Sequence, residues 1–152
     1  MSVTTSLSTC LKNFFMISGT GTTTPTTAAR NLFAESVFAT RSSAGSYIGY
    51  NTVTNTIVFS HTGSRFIEVI FTGTVGASGI ASQVITLTLL INGSIVNTIQ
   101  TYSGQLTFGY SRQVSLYGIY SVTSASTVQI NYSGGTNCSV REGSSVIVRF
   151  IQ

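Results

Sequence analysis

The sequence predicts a single all-β domain, a sandwich of about eight to ten antiparallel strands. Three observations predict this fold class. Short apolar runs with alternating polar residues recur from Asn31 onward, clusters of Gly, Ser and Asn separate them, and no segment has apolar residues at helical spacing. A chain of 152 residues also has the usual size of one domain and can bury a core of its own.

The first thirty residues differ in composition from the rest. Ser and Thr dominate there, and the stretch from Ser18 to Thr27 has the composition of a turn or linker. We therefore divide the chain into a Ser/Thr-rich N-terminal arm, residues 1–30, and a β domain, residues 31–152. The apolar segment Leu11–Ile17 of the arm is a first strand, a plug that docks on a neighbouring subunit, or a frayed terminus.

Within the domain, ten segments have the composition of β-strands. They are enough to build two packed sheets, as a sandwich requires. The predicted strands are Leu32–Thr40, Tyr47–Tyr50, Thr56–Ser60, Phe66–Val75, Gln83–Ile91, Ser94–Thr101, Leu106–Phe108, Gln113–Val122, Thr127–Tyr132 and Ser145–Ile151.

The clearest local signal is the Asn92-Gly93 pair, which lies between two apolar runs. Asn and Gly tolerate the positive φ angles of a type I′ turn, whose twist matches that of the flanking strands, so the pair predicts a hairpin. In this register one face of the first strand carries Ile85, Leu87, Leu89 and Ile91, and the other carries Thr86 and Thr88.

Two of the later strands carry apolar residues on both faces. The predicted core positions of these two strands, Gln113–Val122 and Ser145–Ile151, are Val114, Leu116, Val146, Val148 and Phe150. Those of the strand between them are Val128, Ile130 and Tyr132. Tyr117 and Ile119 lie on the opposite face of one strand, and Ile147 and Ile151 on that of the last, where a lone sandwich would face water. These positions predict a second cover, and a symmetry mate is favoured over the chain itself. We expect a closed homo-oligomer, a homotrimer first and a homopentamer second.

Charge limits the classes of partner. Only 7% of the residues are charged, so hydroxyls and amides supply most of the polar surface. The net charge of +4 comes from single, scattered basic residues, so we do not expect nucleic-acid binding. The longest early apolar run, Phe14–Ile17, is too short for a bilayer span and has no charged leader before it, so we expect no transmembrane segment, no signal peptide and no membrane partner.

The supply of catalytic groups is small. The titratable candidates are Glu35, Glu68, Glu142 and His61, and general acid-base chemistry needs two such groups side by side. We expect no enzyme activity, no cofactor and no metal site. Glu68 falls within a predicted strand, where it pairs with an arginine or faces solvent.

The two cysteines, Cys10 and Cys138, are too far apart in sequence for a CxxC metal site, and whether they pair with each other stays open. The tyrosines are candidate contacts for a ligand or partner, Tyr102 and Tyr110 among them. The alternative for these rings is packing on the sheet with the hydroxyl at the rim.

In the order of its elements the chain resembles the jelly roll of the tumour necrosis factor family and of the globular heads of complement proteins. The pieces that carry the resemblance are Phe66–Thr72, Leu89-Leu90-Ile91-Asn92-Gly93, Ser103-Gly104, Val114–Tyr120 and Val146–Phe150, within residues 33–152. The chain departs from the family's Gly-Asp turn, since it has Ser124-Ala125-Ser126-Thr127 there.

This resemblance implies an oligomer that functions through contact. Similar domains are trimeric ligands or recognition heads, and viruses use small single jelly rolls as penton, spike and fibre-head proteins. We expect a viral structural protein, a capsid component of the virion that acts through its subunit interfaces and contacts other capsid proteins. The alternative is a trimeric recognition head that binds a host glycan or receptor.

Overall fold

The computed structural model describes residues 13–77, 84–102, 110–135 and 138–151, without the side chains of Tyr102 and Tyr110. These residues form twelve strands and one 3₁₀ turn, arranged as two antiparallel sheets in a sandwich. The predicted all-β sandwich is confirmed. The strands outnumber the predicted eight to ten because the chain also forms very short ones, among them a two-residue and a three-residue strand.

The strands are numbered β1 to β12 in chain order. Their bounds are β1 Phe14–Ser18, β2 Arg30–Asn31, β3 Thr40–Ala44, β4 Ile48–Asn51, β5 Thr56–Phe59, β6 Arg65–Ala77, β7 Val84–Ile91, β8 Ser94–Tyr102, β9 Tyr110–Val122, β10 Thr127–Ser133, β11 Cys138–Val140 and β12 Ser145–Ile151.

Each sheet is built from strands that are distant in sequence. Sheet 1 has the order β9-β6-β12-β1-β3, with β11 paired to the end of β6 beyond β12. Sheet 2 has the order β4-β5-β10-β7-β8, with β2 paired to β10. The core lies between the sheets, where every second residue of strands such as β7 and β10 is buried.

The predicted hairpin joins β7 to β8. Asn92 has φ 54° and Gly93 has φ 77°, the two positive angles that a type I′ turn requires. The turn is tied to β10 by two bonds: the Asn92 N–H donates to the Thr127 carbonyl, and the Thr127 N–H donates to Asn92 Oδ1, both at 3.0 Å. The face predicted to be apolar is buried, from Ile85 through Ile91.

The predicted strand Leu32–Thr40 is wrong. Leu32–Ala34 form the 3₁₀ turn, which begins where Asn31 Oδ1 accepts the N–H of Phe33 at 2.9 Å, and a second turn follows as the Phe38 N–H donates to the Glu35 carbonyl. Asn competes well for local backbone groups, and this cap decides the segment in favour of a turn. Leu32, Phe33 and Phe38 are buried without the alternation of a strand.

The apolar segment of the arm supplies a strand. β1 lies between β12 and β3 in sheet 1, with Phe15 and Ile17 buried in the core. The chain after β1 is held to the domain, because the Tyr132 hydroxyl donates to the Thr24 carbonyl at 2.7 Å and the Val140 N–H donates to Thr23 Oγ1 at 2.9 Å. The division of the chain at residue 30 stays a prediction.

Two expectations lie outside the described residues. The predicted strand Leu106–Phe108 is one of them. The other is the pairing of Cys10 with Cys138, of which only Cys138 is described; it is buried in β11.

The turn that departs from the Gly-Asp pattern is described, and Ser126 closes it: its N–H donates to the Thr123 carbonyl and its Oγ accepts from the Thr123 N–H, both at 3.0 Å.

Candidate interaction surface

Apolar side chains form rows across the outer face of sheet 1, because the strands place them in register. In one row Tyr117 of β9 pairs with Ile70 of β6, which pairs with Ile147 of β12, which pairs with Met16 of β1. We call the apolar part of this outer face the apolar face. Its members are Phe14, Met16, Phe66, Ile70, Tyr117, Ile119, Ile147 and Ile151.

The apolar face is open to solvent in the single chain. Phe66 is 59% exposed, Tyr117 52% and Ile119 51%, while Ile147 and Ile151 are half-buried between their neighbours on the sheet. The four positions predicted from β9 and β12 therefore lie on one surface, together with residues of β6 and β1. Phe66 and Ile70 were not singled out in the sequence, although the apolar residues on both faces of β6 were the available signal. That these residues contact a partner stays a prediction.

The two other predicted contacts lie at the far end of the sandwich. Tyr102 ends β8 and Tyr110 begins β9. Their side chains are outside the described part of the structure. Their role as contacts stays a prediction.

One ion pair lies in the middle of the apolar face. The next register row is Ile119, Glu68, Arg149 and Phe14, and in it Arg149 Nε donates to Glu68 Oε2. The Glu68 side chain is 13% exposed and that of Arg149 is 47% exposed. Arg149 thus supplies the arginine partner that was one of the two roles expected for Glu68.

Tyr117 joins this pair and changes its electrostatics. The hydrogen bond from Arg149 holds the pKa of Glu68 below its ordinary value of 4.5, with a smaller contribution from Tyr117. The hydrogen bond to Glu68 raises the pKa of Tyr117 above its ordinary 10.0. At neutral pH the three side chains together carry no net charge, so the apolar face is electrically neutral at its centre.

Beyond the apolar rows the same face of sheet 1 is polar and concave. A groove of about 410 Å³ is lined by Thr72, Gly73, Thr74, Gln113, Val114, Ser115 and Gly143. Residues 141–144 connect β11 to β12, and Gly143 of this connection borders the groove. There the Arg141 N–H donates to the Thr74 carbonyl at 2.8 Å, and the Thr74 N–H donates to Ser144 Oγ at 3.1 Å.

His61 is buried where the two sheets meet. Its Nε2 lies 3.1 Å from the Val122 carbonyl, and since a carbonyl only accepts, Nε2 carries the proton of this bond. The ring packs edge-on against Phe59 and Phe150. In the described parts of the chain, no three His, Cys or Glu side chains come together as a metal site would need.

No protein-family profile matches the sequence, and no curated protein matches it either. Among solved structures, the chain is similar to the structure of Eiger TNF from S. frugiperda. The TM-score is 0.63, the similarity covers 92% of each chain, and the sequences are 11% identical. The chain has a TNF-like jelly-roll fold. The resemblance predicted from the layout is thereby confirmed, and at this identity it extends to the fold alone.

In this TNF-like jelly roll the apolar face belongs to the sheet that contains the first and last strands. The centre of the outer face of sheet 2 is polar instead, since Thr86, Thr88, Gln129 and Asn131 point outward there, while Ile95 and Val96 are exposed at its β8 edge. Within residues 13–77, 84–102, 110–135 and 138–151, no helix is long and apolar enough to cross a membrane.

Proposed function

We propose that this chain is the subunit of a closed homo-oligomer, built through the apolar face, and that it functions as a structural component of a viral particle. The observation that carries the assembly is the set of rows in which Tyr117, Ile119 and Ile147 lie beside residues of β6 and β1. Contiguous exposed apolar surface of this kind marks interaction sites on soluble domains. Water is removed from it when a copy packs against it, which supplies the driving force.

A second copy of the same chain is the partner that the electrostatics favour. The charges at the centre of the apolar face are Glu68 and Arg149, which neutralise each other within one chain. Copies of this face that converge on the axis of a ring meet without like-charge repulsion, and the face offers no net charge to attract a charged partner. A face rich in aromatic and aliphatic side chains with few charges also has the composition of the core of a homo-oligomeric interface. A ring of three copies is the first choice and a ring of five the second.

The test is the mass of the protein in solution. Light scattering after size exclusion should give a closed oligomer at micromolar concentration, and Ile119→Lys should convert it to a folded monomer, because a lysine would be desolvated in the interface. Thr88→Lys places the same charge on the outer face of sheet 2 and is the matched control. A wild-type monomer at micromolar concentration, or Ile119→Lys still assembled, would show that the apolar face does not hold the copies together.

The viral role rests on the combination of a small single jelly roll with a charge-poor surface of hydroxyls and amides. In this role the ring contacts other capsid proteins and is part of the virion. Immunogold labelling with an antibody to the purified protein is the direct test. Regular labelling of particles isolated from the source of the gene supports the proposal, and particles that remain unlabelled while the protein is found elsewhere contradict it.

The second candidate function is a recognition head for a host glycan or receptor, and the groove beside Thr72 and Ser115 favours it. In both candidate functions the chain acts by binding other molecules and catalyses no reaction. They differ in which surface matters, because a structural subunit depends on the apolar face and a recognition head on the groove. Substitutions on the two surfaces therefore separate the candidates.

A further inference from the structure

The groove at the polar end of sheet 1 is lined by neutral side chains that form hydrogen bonds. These are the hydroxyls of Thr72, Thr74 and Ser115 and the amide of Gln113, with the Gly143 backbone at the rim. Hydroxyl and amide groups both donate and accept, as the hydroxyls of a sugar do. The volume of about 410 Å³ falls within the range of small-ligand sites, roughly 300–1,000 Å³. The lining therefore matches a small hydroxylated molecule.

Arg141 places a positive charge next to the groove. An added Cβ at Gly76 would collide with the Arg141 guanidinium, so the guanidinium lies against the sheet where Gly76 leaves room for it. Gly76 follows Thr74 on the same face of β6, since outward positions alternate along a strand. The guanidinium thus lies one register row beyond the Thr74–Gln113 pair at the end of the groove.

The charge of Arg141 has no ion-pair partner within the described part of the chain. Its Nε is buried without a hydrogen-bond partner, and neither of the two described ion pairs includes it. The other described arginines all have a partner: Glu35 for Arg30, the Tyr50 ring for Arg41, the Tyr47 and Phe150 rings for Arg65, the Thr101 hydroxyl for Arg112, and Glu68 for Arg149. Arg141 is the described arginine that lacks one.

We propose that the groove and Arg141 form a binding site for an acidic sugar, a small molecule that carries both hydroxyls and an anionic group. The hydroxyls bind Thr72, Thr74, Ser115 and Gln113, and the anion binds the guanidinium. A guanidinium forms charge-assisted hydrogen bonds with carboxylates and sulfates, which are stronger than neutral ones. The site lies beyond the rows of the apolar face, so it does not depend on the proposed assembly.

The test is a titration of the ¹⁵N-labelled full chain, followed by NMR, with three probes. The methyl glycoside of N-acetylneuraminic acid supplies a carboxylate, galactose 6-sulfate a sulfate, and methyl β-galactoside no charge. Binding of an anionic probe should shift amide signals at residues 72–74 and 113–115 more strongly than methyl β-galactoside does. The probe that binds more tightly, the carboxylate or the sulfate, identifies the anion that the site takes.

Two variants locate the site. Arg141→Gln should lower the affinity for the anionic probes by roughly tenfold, about the effect of one charge-assisted bond, and leave the affinity for the neutral probe unchanged. Ser115→Tyr fills the groove from an exposed position and should abolish all binding. Arg30→Gln and Thr88→Tyr are the controls, since they remove an equal charge and add an equal ring on the side of sheet 2. The melting temperature of each variant shows that it is folded.

Two outcomes would overturn the proposal. One is the absence of shifts at residues 72–74 and 113–115 with every probe at about 10 mM, where even a weak site would be largely occupied. The other is binding that survives in both Ser115→Tyr and Arg141→Gln. Because light scattering measures assembly separately, either outcome leaves the proposed oligomer untouched.

Discussion

Strands β10 and β12 invite comparison because they have the same length, both lie inside a sheet, and both bury every second residue. Their inward residues are alike, two aliphatic and one aromatic in each strand: Val128, Ile130 and Tyr132 in β10, and Val146, Val148 and Phe150 in β12. Their outward residues are not: Gln129, Asn131 and Ser133 in β10, and Ile147, Arg149 and Ile151 in β12. The inward residues define the sandwich, whereas the outward ones determine what each sheet can contact.

The outward polar side chains at the centre of sheet 2 bond to one another, although Ile95 and Val96 are exposed at its β8 edge. Gln129 Nε2 donates to Asn131 Oδ1 at 2.6 Å, and Gln100 Nε2 lies 3.5 Å from Thr86 Oγ1. Such a face gains little from a partner, because each group already has one in the chain or in water. The outer face of sheet 1 has apolar atoms in the same positions, and a partner removes them from water. The difference predicts that assembly uses sheet 1 and leaves sheet 2 open.

The largest expected effect tests whether the two inward faces are equivalent. Ile130→Ala in sheet 2 and Ile67→Ala in sheet 1 each delete a side chain that is 0% exposed, and each should cost about 2–5 kcal/mol of unfolding free energy. The outward changes Ile147→Thr and Gln129→Thr should stay within about 0.5 kcal/mol. Urea unfolding in the Ile119→Lys background measures all four without assembly. A cost for Ile147→Thr as large as that for Ile67→Ala would mean that the single chain already covers this residue.

The next effect concerns the seam between the sheets. His61→Phe keeps a ring between Phe59 and Phe150 but leaves the buried Val122 carbonyl without its donor, which should cost about 1–3 kcal/mol. His61→Gln keeps a donor and should recover part of the loss. The measurement is again urea unfolding. Equal stability of His61→Phe and the wild type would show that the ring alone holds the sheets together at this end.

The inward pattern was predictable because it is local. The alternation from Ile85 to Ile91 and the Asn92-Gly93 turn are properties of neighbouring residues, and they fix a strand, its buried face and a hairpin without reference to the rest of the chain. The segment Leu32–Thr40 shows the limit. Its apolar residues fit a strand, but the side chain of Asn31 caps a turn, and hydrophobic spacing does not report such caps.

The outward surfaces were predictable only in part, because they depend on register. Tyr117, Ile119, Ile147 and Ile151 could be identified from doubly apolar strands, yet their arrangement in rows with β6 and β1 follows from pairings across the whole chain. Glu68 and Arg149 are 81 residues apart, and no sequence pattern joins them. The groove is lined by residues of β6 and β9 with Gly143 from the β11–β12 connection, a combination without a hydrophobic signal. Long-range pairing, rather than propensity, creates both sites.

The smallest expected effect compares two ion pairs on opposite sides of the sandwich. Arg149 with Glu68 lies among apolar residues, while Arg30 with Glu35 lies on the rim of sheet 2. In the single chain both are partly open to water, and pairs of this kind are worth about 0–1 kcal/mol. Glu68→Gln and Arg30→Gln should therefore change the stability of the Ile119→Lys monomer only slightly. Without the Ile119→Lys change, Glu68→Gln should weaken assembly and Arg30→Gln should not, because assembly desolvates the first pair and leaves the second in water.

The pH dependence sharpens this comparison. Arg149 holds the pKa of Glu68 below 4.5, so the folded chain favours the ionised carboxylate more than the unfolded chain does. The stabilisation is therefore complete above pH 4.5 and is lost as the pH falls through the lowered pKa. In the oligomer, protonation of Glu68 would leave Arg149 desolvated without its partner, so light scattering should show the wild type dissociating as the pH falls below 4.5. Glu68→Gln, which has no proton to gain at that position, should lose less of its assembly between neutral pH and the acid range, although it starts from a weaker oligomer. Parallel curves for the two proteins would place the acid-sensitive group elsewhere and would remove the ion pair from the interface, since a carboxylate buried between copies cannot be protonated without altering their affinity.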